Sequence, residues 1–172
     1  MYIKKSLLAI VFFSDFAYSA QSATVNLSGT LVEPQECSFD SESYDVDFGS
    51  NIITTSVSNA NLSASAYVND ANNKPIAYTM TCKGVQSANY KMKLVPSSVS
   101  SFSQNAVATT GTNPNNLGIF LMKDDLIYNI GTEFTFTSTK LPKLNAVLIK
   151  NNGVTLAPGA FTASVDMVIT NP

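Results

Sequence analysis

The chain has no histidine and no tryptophan, and its ten basic residues are all lysines. Without histidine there is no imidazole to act as a general base near neutral pH. With only two cysteines in addition, no ligand set for a zinc site of the usual type remains, and no metal or other cofactor is expected. Without arginine, and with its lysines scattered, the chain has no cationic face for phosphate, so nucleic acid is not an expected partner. Charged residues make up 13% of the sequence. Long charged helix formers are few, while Ser, Thr and Asn abound, a balance that favours strands and turns. No Gly-x-Ser-x-Gly elbow and no phosphate loop occurs. The chain is not expected to be an enzyme.

What is present begins with a short basic pair, Lys4 and Lys5, and an apolar run from Leu7 to Phe13. Small residues follow at Ala17, Ser19, Ala20, Ser22 and Ala23. This layout reads as a secretory signal peptide over residues 1–22, too short in its apolar part for a membrane span. No later apolar run is long enough to span a bilayer, so no transmembrane segment is expected in the mature chain. About 150 residues would then form one domain with a real core. The formal charge of −2 for the whole chain becomes about −3 after removal of Lys4, Lys5 and Asp15.

Val25, Leu27, Gly29 and Leu31 recur at every second position, with Asn26, Ser28 and Thr30 between them. An extended chain puts these two sets on opposite edges. Gly29 leaves a gap in the apolar edge. A glycine inside a strand marks a bulge or a place where another group approaches closely. The stretch is therefore either an ordinary first strand or a strand to be inserted into another sheet.

Cys37 and Cys82, an even pair behind a signal peptide, read as a disulfide. Its long loop is worth ~4 kcal/mol in the chain-entropy model. Tyr44, Val46 and Phe48 alternate with Asp45 and Asp47. The two acids read as a solvated strand face, since no loop of oxygen ligands with calcium-site spacing surrounds them. A short strand is expected over 52–57 and a polar surface loop over 59–74. Pro75 to Cys82 reads as a strong strand with Ile76, Tyr78, Met80 and Cys82 on one face, where a bridge between two packed sheets would need its cysteine. Tyr90, Met92 and Leu94 form a half-exposed strand. Ser97 to Asn116 reads as loop. Gly118–Met122 and Leu126–Ile130 flank a turn at Lys123-Asp124-Asp125. Strands follow over Glu133–Thr139, Leu144–Ile149 and Ala160–Ile169. Many short strands separated by turns indicate an antiparallel sandwich.

In their order these features resemble the pilus (fimbrial) subunits of the bacterial chaperone–usher pathway. The matching residues are the alternating stretch Val25 to Val32 with its central glycine, and Cys37 shortly after it, with Cys82 at the end of an alternating strand. They continue with Asp45-Val46-Asp47-Phe48-Gly49 and with Gly159 and Phe161 ahead of a terminal strand. Val25-Asn26-Leu27-Ser28-Gly29 and Phe134-Thr135-Phe136-Thr137-Ser138 are most similar to minor or tip-adaptor subunits such as the P-pilus tip adaptor. The resemblance implies an all-β, incomplete immunoglobulin-like sandwich: six strands of its own, a missing seventh, and an N-terminal donor-strand extension over 23–33 ahead of a pilin domain over 34–172. It also implies donor-strand complementation by a periplasmic chaperone, then exchange at an outer-membrane usher for the extension of a neighbouring subunit, and export to the fimbrium at the cell surface.

Carried onto this chain, Val25, Leu27, Gly29 and Leu31 would be the inserted face. Phe161, Ala163, Val165, Met167 and Ile169 would line the acceptor groove, and the carboxylate of Pro172 would meet basic chaperone residues. The family usually has a tyrosine near the C-terminus, where this chain has Thr170-Asn171-Pro172. A receptor- or carbohydrate-binding adhesin is the alternative function. A third reading is a self-sufficient secreted sandwich that binds sugar through Tyr44, Tyr67 or Tyr78.

Overall fold

The computed structural model describes residues 23–31, 33–84 and 89–171. The signal-peptide expectation over 1–22, together with Val32 and Pro172, lies outside the described residues. The chain divides into two units, residues 1–31 and 32–172. Residues 23–31 of the first unit adopt no helix or strand.

In the second unit the strands are β1 (Glu36–Phe39), β2 (Ser58–Asn59), β3 (Asn73–Pro75), β4 (Met80–Lys83), β5 (Tyr90–Pro96), β6 (Ala106–Ala108) and β7 (Thr110–Gly111). They continue with β8 (Leu117–Lys123), β9 (Leu126–Ile127), β10 (Phe134–Phe136), β11 (Leu144–Lys150), β12 (Phe161–Thr162) and β13 (Val165–Thr170). One short helix, α1 (Ala64–Val68), interrupts them. The expected all-β architecture is what forms.

The main sheet runs β2-β11-β8-β6, with β3 and β9 added at its margins. A second sheet runs β10-β5-β13, and β1-β4 and β12-β7 are two-stranded ribbons. All pairings are antiparallel except β2 with β11. Every residue of β8 from Leu117 to Met122 is buried, as are Ala146 to Ile149 of β11. Their continuous apolar runs follow from cover on both faces. One face packs Ile119, Leu121 and Leu148 against Tyr90, Met92 and Leu94 of β5. The other packs Phe120, Met122, Val147 and Ile149 around the fully buried Tyr67 of α1.

Tyr67 explains why a helix forms inside the segment expected to be a polar loop. Its ring meets Phe120 edge-on at 5.3 Å between centroids. Its hydroxyl donates to the Asn59 carbonyl at 2.7 Å and accepts from the Leu62 N–H at 3.0 Å. The five residues Ala64–Val68 are too few to show a helical period, so packing decides their conformation.

Other expectations are corrected in detail. Residues Thr54–Ser56 form a 3-10 turn, not a strand. The expected strand from Pro75 to Cys82 is split into β3 and β4, because β3 pairs with β11 while β4 pairs with β1. The 97–116 segment contains β6 and β7. The Lys123-Asp124-Asp125 turn forms as read, with φ of 49° at Asp124 and 67° at Asp125, the left-handed pair that a tight hairpin requires.

The Cys37–Cys82 disulfide is present. The two cysteines stand directly opposite each other in the β1–β4 ladder. The bridge therefore joins neighbouring strands of one ribbon, and not two packed sheets as the face pattern alone had suggested.

Candidate functional site

Strand β13 pairs with β5 along one edge, and along the other it has no strand partner among the described residues. Val165, Met167 and Ile169 are half-buried against the core, while Asp166, Val168 and Thr170 are exposed. This alternation is the one read from the sequence. The run is not continuous back to Ala160, however. β12 ends at Thr162, and Ala163 lies exposed in the gap before β13.

Facing this edge is the segment that follows β1. Tyr44, Val46 and Phe48 are half-buried and Asp45 and Asp47 exposed, as the sequence pattern required, yet among the described residues the segment pairs with no strand. Among the described residues, 44–48 make no backbone–backbone hydrogen bond. Backbone donors and acceptors left in this state are a template for an added strand.

Between the two edges runs an open groove of two adjoining cavities, about 720 Å³ and about 700 Å³. Core residues Leu94, Val107, Ile119, Leu121 and Ala146 floor the first, and Leu117, Leu148 and Leu156 floor the second. The cavities share Val46, Asp47, Phe48 and Phe161 in their walls. There the rings of Phe48 and Phe161 meet across the groove with centroids 5.9 Å apart.

Four of the five residues assigned from sequence to an acceptor groove, Phe161, Ala163, Val165 and Met167, line it, and Ile169 does not. Beyond Met167 the walls close, since the Cys37 N–H donates to the side-chain oxygen of Asn171 at 2.9 Å. At the other end the turn Ala157–Ala160 is held to the 111–113 segment. Asn113 donates to the Ala157 carbonyl at 2.8 Å and accepts from the Ala157 N–H at 3.0 Å. Gly159 packs so closely on Thr112 that any side chain would collide with it.

Sequence reasoning assigned the β13 wall of this groove and missed the opposite one. The alternation of Tyr44, Val46 and Phe48 was legible, but their place beside the last strand was not.

The three tyrosines that a sugar site could use are turned to the protein. Tyr44 donates to the Thr79 carbonyl at 2.6 Å and Tyr78 to the Pro142 carbonyl at 2.7 Å, while Tyr67 is buried. Burial pushes the Tyr78 phenol up to about 12, and the negative charge of Asp124 adds to the effect.

In the first unit, Val25, Leu27 and Leu31 are highly exposed, with relative exposures of 75%, 91% and 102%. A Cβ placed on Gly29 would have nothing within 4 Å. Pro172, the expected chaperone contact, lies outside the described residues.

Comparison with known proteins adds three observations. The family model described as "Fimbrial protein" matches residues 25–170. No curated protein sequence matches the chain. Among solved structures, the P pilus rod subunit PapA is similar with a TM-score of 0.51 and 17% identity, over 88% of this chain and 100% of that one. This likeness shows a shared fold. The P pilus adaptor subunit PapF aligns at a TM-score of 0.46 and 15% identity, over 83% of this chain and 98% of that one. A chaperone–usher pilus structure aligns at 0.49 and 18%, over 91% of this chain and 99% of that one.

Proposed function

The chain belongs to the fimbrial protein family, and from that premise we propose that it is a minor or tip-adaptor subunit of a bacterial adhesive pilus, polymerised by strand exchange. One observation carries the reading. A groove floored by core residues runs beside the edge of β13 that has no strand partner among the described residues, and it faces a second wall, 44–48, that makes no backbone–backbone hydrogen bond among them. A strand laid between them would gain main-chain hydrogen bonds and place alternate side chains on a floor of core residues. It would also cover an edge that otherwise invites aggregation.

In this scheme Phe161, Ala163, Val165 and Met167 accept the strand. A periplasmic chaperone fills the groove first, holding the Pro172 carboxylate, and at the outer-membrane usher a neighbouring subunit replaces it. Residues 23–33 are the arm given in turn, with Val25, Leu27, Gly29 and Leu31 as its inserted face. The subunit then resides in the fimbrium. A receptor-binding role has less support, because the hydroxyls of Tyr44, Tyr67 and Tyr78 are all engaged by backbone carbonyls.

Deleting residues 23–32 tests the scheme. The truncated subunit keeps its groove and accepts a neighbour's arm, but cannot donate one. A truncated chain that still joined the groove of the next subunit would overturn the assignment.

A further inference from the structure

The mouth of the groove carries charge of one sign. Glu42, Asp45 and Asp47 line one wall and Asp166 the other, and among the described residues no lysine lines either cavity. Lys93, half-buried on the outer face of β5, stands opposite Val168 and diagonal to Asp166. It forms no ion pair with Asp166 among the described residues. The carboxylates do not converge as metal ligands, since no group of three suitable side chains is found among the described residues.

A strand lying in the groove turns its apolar side chains to the floor and its alternate side chains to this acidic rim. Neighbouring strands lie about 4.8 Å apart, less than the Debye length of about 8 Å at physiological ionic strength, so charges on the inserted strand and on the flanking walls would interact.

We infer that the arm this groove takes from its neighbour carries lysine or arginine at the outward-facing alternate positions, so that its donor is a different subunit and not a second copy of this chain. The chain's own arm shows why. Its outward positions are Asn26, Ser28 and Thr30, all neutral, and the next charge is the acid Glu33. None of its outward side chains brings a cation to a rim of four carboxylates. Apolar pockets decide whether a strand enters, and complementary charge decides which strand is preferred and how fast it arrives.

This inference rests on the strand-accepting reading of the groove, and the test separates the two. Three peptides spanning residues 23–32 are offered to the full mature chain. The first is the parent, the second carries Asn26→Lys, Ser28→Lys and Thr30→Lys, and the third carries glutamate at the same positions. All share one inserted face. Binding is followed by fluorescence polarisation from low salt to 1 M NaCl.

The lysine peptide binds about tenfold or more tighter than the glutamate peptide at low salt, with the parent between them. The gap closes as salt is added. A chain carrying Glu42→Gln, Asp45→Asn, Asp47→Asn and Asp166→Asn binds all three alike. Each of these side chains is exposed, and an amide at position 47 keeps an acceptor for the Gly49 N–H that Asp47 now holds at 2.7 Å.

Equal binding of the lysine and glutamate peptides to the unaltered chain overturns the inference but leaves the groove reading intact. A gap that survives in the four-amide chain also overturns it, because the selection would then lie elsewhere. Failure of all three peptides to bind overturns the groove reading as well.

Discussion

The Cys37 N–H donates to the side-chain oxygen of Asn171 at 2.9 Å, across 134 residues of sequence. This bond ties the start of β1 to the residue after β13 and closes the groove at one end. Where the resembled family usually has a tyrosine, this chain has Thr170-Asn171-Pro172, and Asn171 makes the bond. Asn171→Ala removes the acceptor and leaves the Cys37 N–H without its partner. A lost hydrogen bond of this kind costs about 1 kcal/mol. Hydrogen exchange at the Cys37 amide is expected to speed up in the variant, with slower amides in β8 unaffected. Unchanged protection at Cys37 would mean that the bond does not hold the walls together.

How much of this was legible in the sequence depends on where each signal lay. The half-buried edges announced themselves by alternation, as in Tyr44-Asp45-Val46-Asp47-Phe48 and in Val165 to Thr170. The doubly covered strands β8 and β11 were legible as short apolar runs between turns. Helix α1 was not, because five residues anchored by one buried tyrosine carry no period. Nor were β6 and β7, which are two or three residues long in a polar stretch and exist through their partners. The groove was half legible. Its β13 wall follows from pattern, whereas its other wall is a long-range juxtaposition that no local window contains. The closure at Asn171 is invisible for the same reason.

Tyr78 makes the fold sensitive to alkali. Its phenol is pushed up to about 12 by burial and by Asp124, above the unfolded value of about 10. The folded state therefore holds the proton more tightly than the unfolded state. The associated stability is fully present below about pH 10 and is lost as the pH rises toward 12. Tyr78→Phe should lower stability at pH 8 by about 1 kcal/mol through the lost bond to the Pro142 carbonyl. Its denaturation midpoint should then fall less than that of the parent between pH 8 and pH 11. Parallel pH profiles for the two proteins would exclude Tyr78 as the source.

The disulfide closes a loop with a sequence separation of 45, and in the chain-entropy model that constraint is worth about 4 kcal/mol. It also pins β1, which forms one end of the groove wall, to β4. Replacing both cysteines with serine is expected to lower stability by this order and to reduce capture of a donor peptide. The checks are a urea titration and the peptide-binding assay run on the same preparation. A chain lacking the bridge that bound peptide at parental affinity would show that the β1 wall is held by packing alone.

Gly29 separates what the arm does within its own chain from what it does in a neighbour. A Cβ built at this position meets nothing within 4 Å, Val25, Leu27 and Leu31 beside it are highly exposed, and residues 23–31 form no strand. Gly29→Leu should therefore change the stability of its own chain by less than about 0.5 kcal/mol, as for other exposed sites. In a groove shaped to admit backbone but no side chain, the same leucine is overpacked, at a cost of about 1–3 kcal/mol. Incorporation into the next subunit, followed as the rate of exchange from a chaperone-bound acceptor, should drop by about tenfold or more. Gly29→Ala should fall between the two, because a single methyl asks less room. If the leucine variant donated as fast as the parent, the glycine would not mark the tight point of the groove. If it destabilised its own chain, the arm would belong to its own fold and the assignment of residues 23–33 as a donated strand would fail.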